Sequence, residues 1–354
     1  MRHLRAQLEA HRLDAVLITH LPNIRYLCGF TGSAGVLALT DRDATFFTDG
    51  RYTEQACVEV RGAKITIRKG KSGMAAALKW LRTRSGIRRI GIESSYLTVA
   101  ERDVITRSLG SARKIVNAPP RVEEMRMVKS PDEIAKIRAA CELGASLFDG
   151  LTAGIRPGVP ETEVAGQLEF AARKAGVDQM AFPTIIAGGH RSALPHGRAS
   201  HAPIPPRGFV VCDFGVILSG YCSDMTRTLH VGRPTAEARR VYAAVRDAQQ
   251  AGLEAVKPCK TVGEVDASAR KLLLYNGLAR YFTHSTGHGL GLEIHEAPRV
   301  AAGQKEVLRP GMVITVEPGV YLPGKWGVRI EDTVVVTETG CEILTNCPKD
   351  LQAV

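Results

Sequence analysis

Three of the ten histidines in this 354-residue chain fall within thirteen residues, His284-Ser-Thr-Gly-His-Gly-Leu-Gly-Leu-Glu-Ile-His-Glu296. His288 stands four residues after His284 and seven before His295. Imidazoles at this density can bind a metal, move protons, or merely furnish a polar loop. Their neighbours in sequence narrow the choice. Two segments, 208–232 and 311–336, each set an acid at the end of an apolar run: Asp213 after Phe209-Val-Val-Cys212, and Glu317 after Met312-Val-Ile-Thr-Val316. Each passes through a glycine-bearing turn into a second strand with another acid, Asp224 or Glu331. With one residue inserted the segments align, which reads as a degenerate internal repeat of pseudo-two-fold character. A bare carboxylate in such a setting costs several kcal/mol. Arg227 and Arg329 could each pair with one acid. Four converging acids need more positive charge than two arginines carry. Two divalent cations balance four carboxylates and a neutral imidazole and leave room for a bridging hydroxide, the composition of a two-metal hydrolytic site.

These residues need rigid elements behind them. The first 120 residues alternate between helix and strand: Arg2–Arg12, Arg51–Val60, Met74–Thr83 and Thr98–Gly110 read as helical, with Gly110 as a C-cap. Asp14–Thr19, Gly35–Thr40, Ala44–Asp49, Lys64–Lys69 and Arg88–Glu93 read as strands. This pattern predicts a smaller α/β domain over residues 1–122. Pro119 and Pro120 then interrupt the chain, and Ser130-Pro-Asp-Glu133 predicts a capped helix start: Ser at the N-cap, Pro at the first helical position, Glu three residues after the cap. A second domain is expected over 123–354, α+β, with helical pairs alternating with strand-rich texture.

Composition limits the function classes. Mean hydropathy is −0.05 and 44% of residues are apolar, as in a globular protein. No apolar run approaches the roughly 18 residues that span a bilayer. The N-terminal stretch lacks the apolar core of a signal peptide. Eight scattered cysteines without a CxxC predict reduced thiols in a cytoplasmic setting. The chain carries a net charge of +11, and its Lys and Arg residues are dispersed along the sequence. Their densest run, Arg82–Arg89, has no interleaved aromatics, so the expectation is a solvated surface with no nucleic-acid and no membrane partner.

Five stretches, Ser192–Ser200, Val210–Gly232, Ser285–Glu296, Val316–Leu322 and Val328–Asp332, together resemble the pita-bread metallopeptidase family, in its proline-peptidase branch of aminopeptidase P and prolidase. Leu21–Thr40 and Phe46–Tyr52 resemble that family's N-terminal domain, so the resemblance covers nearly the whole chain. It implies a pita-bread (creatinase/aminopeptidase-like) catalytic domain behind a creatinase-like one, with a dinuclear centre. By that resemblance Asp213 holds one metal, His288 and Glu317 hold the other, and Asp224 and Glu331 bridge the two. His196, His284 and His295 hold substrate and stabilise the tetrahedral intermediate, with a protonated His284 or His295 meeting the oxyanion. Glu317 also shuttles the proton, and Arg329 and Tyr321 support the site.

The activity implied is hydrolysis of the Xaa-Pro bond in short peptides with proline at the second position. The stretches Asn23–Gly35 and Phe47–Ala56 favour an Xaa-Pro aminopeptidase acting on longer peptides; an Xaa-Pro dipeptidase is the alternative. Homologues that lost the metal and became binding or chaperone modules are disfavoured, because all five ligand positions are filled. Four oxygen donors and one nitrogen favour Mn2+, with Co2+ or Zn2+ able to bind. The resemblance also suggests a homodimer.

Overall fold

The computed structural model describes residues 1–68 and 72–354. Lys69, the last residue of the expected fourth strand, lies outside them. Two compact units divide the chain, Met1–Arg126 and Met127–Val354.

In the first unit the elements run α1 (Arg2–Ala10), β1 (Ala15–Ile18), α2 (Leu21–Cys28), β2 (Val36–Thr40), β3 (Ala44–Asp49), α3 (Thr53–Glu59), β4 (Lys64–Arg68), α4 (Gly73–Arg82), β5 (Arg89–Ile92), α5 (Val99–Leu109) and β6 (Lys114–Asn117). A further helix, α6 (Arg121–Met127), crosses the division. The six strands form one sheet in the order β4-β3-β2-β1-β5-β6. Only β2 runs antiparallel to its neighbours. β1, β2 and the apolar part of β3 are buried throughout, which is why they read as continuous apolar runs. Gly110 ends α5 with φ +72°, as its sequence position predicts. β1 and β5 are adjacent and parallel, and the chain leaves them toward opposite sides of the sheet. Beyond their C-terminal ends, where sheets of this type usually take a ligand, lies the carboxylate of Glu93. It accepts hydrogen bonds from Thr19 N (2.6 Å), His20 N (2.9 Å) and Asn23 Nδ2 (2.7 Å).

The second unit repeats one plan. First come α7 (Pro131–Gly154), α8 (Glu161–Lys174) and the short strands β7 (Gln179–Met180) and β8 (Ile185–Gly188). Then follow β9 (Gly208–Phe214), a small hairpin of β10 (Val216–Leu218) and β11 (Tyr221–Cys222), and β12 (Met225–Val231). The plan recurs as α9 (Ala236–Ala255), α10 (Val262–Tyr275), β13 (Gly287–Gly289), β14 (Glu296–Val300), β15 (Val313–Val316), the hairpin β16 (Gly319–Leu322) and β17 (Trp326–Arg329), β18 (Asp332–Val336) and β19 (Cys341–Ile343). β9 pairs antiparallel with β12 and β15 with β18, each pair separated in sequence by a small hairpin. The internal repeat read from the acids is thus a repeat of topology. Cys212 lies in the core with Phe148, Leu168 and Met225, on the strand face away from Asp213, as period-two alternation requires.

The start of α7 carries a complete capping box: the Ser130 side chain accepts from Glu133 N, and Glu133 accepts from Ser130 N. Ser130→Ala removes the first bond. Its expected cost is about 1 kcal/mol, read as a lower urea midpoint at unchanged slope.

Candidate metal centre

The two strand pairs bring four acids to one place because each acid sits at a strand end beside a hairpin. Asp213 lies in β9 opposite Thr226, and Asp224 immediately precedes β12. Glu317 immediately follows β15, and Glu331 immediately precedes β18, whose Asp332 faces Val316. His288 enters from β13. A Cβ at Gly287 or Gly289 would overlap the carbonyls of Thr315 or Ala297, so glycine on both sides lets β13 settle close to its neighbours. Ligand atoms of Asp224, His288 and Glu331 all lie within 4.8 Å of one another. His288 Nε2 is 3.6 Å from Asp224 Oδ2 and 3.4 Å from Glu317 Oε1. All five side chains, with His196, His284, His295 and Arg329, line one cleft of about 580 Å³.

The hydrogen bonds orient these groups. Thr226 Oγ1 donates to Glu331 Oε2 (2.7 Å), and Thr315 Oγ1 donates to Glu317 Oε1 (3.3 Å). His288 Nδ1 is 3.1 Å from Gly289 O, which fixes the proton on Nδ1 and leaves Nε2 with its lone pair toward the acids. Arg329 contacts Asp213 Oδ2 and the Tyr321 hydroxyl, each at 2.5 Å, and donates to Pro195 O at 3.1 Å. Arg227, the other candidate partner for the acids, instead pairs with Asp332 at 2.7 Å. His284 uses both nitrogens within the protein, Nδ1 to Ser285 O (2.8 Å) and Nε2 to the Tyr321 hydroxyl (3.0 Å). Burial, reinforced by the Arg329 charge, lowers its pKa to about 4. A protonated His284 at the oxyanion is therefore unsuited to this geometry, and the cleft offers His196 and His295 for contact with substrate. The His288 and His295 rings lie 4.3 Å apart.

The electrostatics call for cations. Burial, then the charges of Glu331, Asp213 and Glu317, raises Asp224 well above the carboxylate range. Burial, then Glu317 and Asp213, does the same to Glu331. Glu317 is pushed up to about 8, mainly by burial, with Arg329 opposing the rise. Burial, then the nearby His295, lowers His288 to about 4, which keeps it neutral, the form that can hold a metal. Asp213 Oδ1 and Glu331 Oε1 are buried without a hydrogen-bond partner, although buried oxygens are normally satisfied. Arg329 and two threonines leave this cluster under-compensated. A pair of divalent cations fits both the charge and the donor set, and would reverse the upward shifts.

The sequence reading did not single out Thr226, Thr315, Arg198 and Arg299. The threonines alternate with apolar residues as surface-strand threonines do, and only the register turns them to the acids. Arg299 pairs across the strands with His288, a relation no sequence spacing reveals.

Comparison with known proteins agrees with this geometry. Residues 135–338 match the profile of metallopeptidase family M24, and residues 1–128 match the creatinase/prolidase N-terminal domain. An Xaa-Pro dipeptidase of Pyrococcus horikoshii is 38% identical over 347 residues, 97% of this chain and 96% of that protein. The structure of an Xaa-Pro dipeptidase from Bacillus anthracis superposes with a TM-score of 0.95 at 40% identity, covering 99% and 98% of the two chains. That of an X-Pro aminopeptidase from Thermotoga maritima gives 0.89 at 36% identity over 98% and 100%.

Proposed function

Since the chain belongs to metallopeptidase family M24, in its pita-bread proline-peptidase branch, and is a metallo-exopeptidase, we propose that it is an Xaa-Pro dipeptidase. This revises the preference for longer peptides drawn from Asn23–Gly35 and Phe47–Ala56. The observation that carries the reading is in the cleft. Arg198 and Arg299 line the same cavity as the acid cluster, with Phe182, Pro183 and Ile185 as an apolar wall. A dipeptide ending in proline presents a carboxylate and an apolar ring. Guanidinium groups suit the first and the apolar wall the second. The 38–40% identity to proteins named Xaa-Pro dipeptidase supports the same choice.

Asp213, Asp224, His288, Glu317 and Glu331 would hold two divalent metal ions, Mn2+ by the preference of four carboxylates and one imidazole. When bound, such ions acidify a water toward neutral pH and polarise the scissile carbonyl. The chain's own groups do the rest. Glu317 keeps Oε1 on Thr315 and has Oε2 to take the proton from the attacking water and pass it to the proline nitrogen. That nitrogen is a tertiary amide with no proton of its own, so its departure depends on such a donor. His295 and His196 donate to the developing oxyanion. Arg329 holds Asp213 and, through Tyr321, fixes the ring of His284.

The test is a digest of Ala-Pro, Ala-Pro-amide and Ala-Pro-Ala with Mn2+ present. Rapid cleavage of Ala-Pro alone is expected; faster cleavage of Ala-Pro-Ala would assign the aminopeptidase activity instead. Arg299→Ala is expected to raise KM for Ala-Pro about tenfold or more, as the loss of a charge-assisted contact of about 1.5–3 kcal/mol requires. Unchanged KM would remove Arg299 from carboxylate binding.

A further inference from the structure

The net charge is not spread evenly between the two units. Residues 1–126 carry 22 Lys and Arg against 12 Asp and Glu, a net +10, while residues 127–354 carry 25 against 24. In sequence these cations look scattered, and topology explains why. β1, β3, β4, β5 and β6 all run the same way, so every return of the chain begins its next strand at one edge of the sheet. Arg12, Arg42, Lys64, Arg88, Arg89 and Lys114 stand at or just before those strand starts. They are spread over about a hundred residues of sequence and share one edge in space.

Two more cations, Arg82 and Arg84, lie at and just past the end of α4 on the same edge. Arg113 adds a third, donating to Arg82 O at 2.6 Å. The acids here are already engaged. Asp14 accepts from the amides of Arg88 and Arg89, each at 2.7 Å. Asp43 pairs with Lys64 and Arg84, each at 3.2 Å. Asp41 pairs with Arg42 at 3.4 Å. Arg5 and Glu9 of α1 cancel. The C-termini of α1, α4 and α5 reach this edge too, at roughly −0.5 charge each. They offset only about a quarter of the surplus. A cleft of about 1070 Å³ is lined by Arg5, Arg12, Arg42, Arg84 and Arg89 together with Asp14, Asp41 and Asp43; the other cations of the edge lie outside its lining. Buried Arg5 Nε, Arg84 Nε and Arg113 Nε lack hydrogen-bond partners.

We infer that this edge of the N-terminal unit binds the phosphate backbone of nucleic acid, without reading its sequence. Six strands at about 4.8 Å spacing give an edge of roughly 24 Å, the rise of about seven base pairs. The cations are strung along that length rather than gathered round one point, which suits a charged polymer better than a single phosphate. An anionic membrane would want apolar side chains beside the cations. Of the exposed large apolar residues described in this unit, Tyr96 and Val99 follow the far end of β5 and Val104 lies midway along α5, which leaves Val58, near the end of α3, as the one on the return to a strand start.

The experiment is fluorescence anisotropy of a fluorescein-labelled 24-base-pair DNA titrated with the full chain. Binding is expected at 50 mM salt, weakening on the order of 10²-fold by 200 mM, as contact with about four phosphates dictates. The quadruple variant Arg42→Gln, Arg82→Gln, Arg88→Gln, Lys114→Gln changes exposed side chains only. It should flatten that salt dependence and weaken binding at least tenfold, with Ala-Pro hydrolysis unchanged. A matched variant in the other unit, Arg233→Gln, Arg239→Gln, Lys257→Gln, Lys271→Gln, removes the same net charge and should bind as the parent does. Absence of binding at 50 mM salt, or equal loss in the two variants, overturns the inference. So does capture by phosphatidylglycerol-containing vesicles without capture of the duplex.

Discussion

Glu331→Gln is expected to keep the fold and lose nearly all hydrolysis. The substitution is isosteric, so it opens no cavity, and its amide oxygen can still accept from Thr226 Oγ1. What disappears is one negative charge at a position with a buried, partnerless oxygen, Glu331 Oε1. Glu331 is one of the five residues that would hold the two ions, and the resemblance would have it serve both, so its loss would weaken metal binding as a whole. Lewis-acid and water-acidifying effects supply several kcal/mol of transition-state stabilisation. At 1.36 kcal/mol per decade, the expected fall in kcat/KM is on the order of 10³-fold or more. Metal content by plasma mass spectrometry should fall with it. In the metal-free state the variant should be no less stable than the parent at pH 8, because it spares the fold a buried charge. Near-normal turnover with two metals still bound would end the bridging assignment.

The second large effect concerns pH. Without cations, Asp224, Glu317 and Glu331 hold protons more tightly in the folded chain than in the unfolded one, so their contribution to stability is lost as pH rises. His284 and His288, lowered to about 4, and His295, also lowered, act in the opposite sense. Their contribution grows as pH rises toward the ordinary histidine value near 6.5. Below that value the two sets largely offset. From pH 6.5 to 8 these acids titrate without the opposing histidines, and each costs up to about 1.4 kcal/mol per pH unit. Chelator-treated protein should therefore lose stability steadily across this window. Metal-loaded protein should stay nearly level, because the cations keep the acids ionised. The measurement is Tm with and without metal at pH 6.5 and 8. A gap that does not widen at the higher pH would show that these acids are not the metal's main partners.

Much of the centre was legible because a few residues carry contradictory signals. An acid ending the run Phe209–Cys212 or Met312–Val316 conflicts with burial, and only a strong partner resolves the conflict. The same logic made the repeat visible, since each acid marks the same turn of the same plan. Local chemistry also marked the start of α7, where Ser130 and Glu133 act within four residues. Relations made only in three dimensions were hidden. Thr226 and Thr315 look like ordinary strand residues until the register turns them to the acids. Arg299 depends on a cross-strand pairing, and both nitrogens of His284 are claimed by partners 1 and 37 residues away. α2 is not legible in the sequence, because Leu21–Cys28 is short, begins beside a proline and ends at Gly29, so its helical period has little room to show. The basic edge was masked by the parallel order of the strands, which scatters neighbours in space along the chain.

The carboxylate of Glu93 has a consequence for what the N-terminal unit can host. At the crevice where related sheets admit nucleotides or other small anions, this chain has installed a resident of its own, tethered and already saturated with donors. A soluble phosphorylated guest would have to evict it and break at least three hydrogen bonds on entry. The doorway familiar from nucleotide-binding sheets is thus bolted from within, and any traffic with anions is left to the opposite rim.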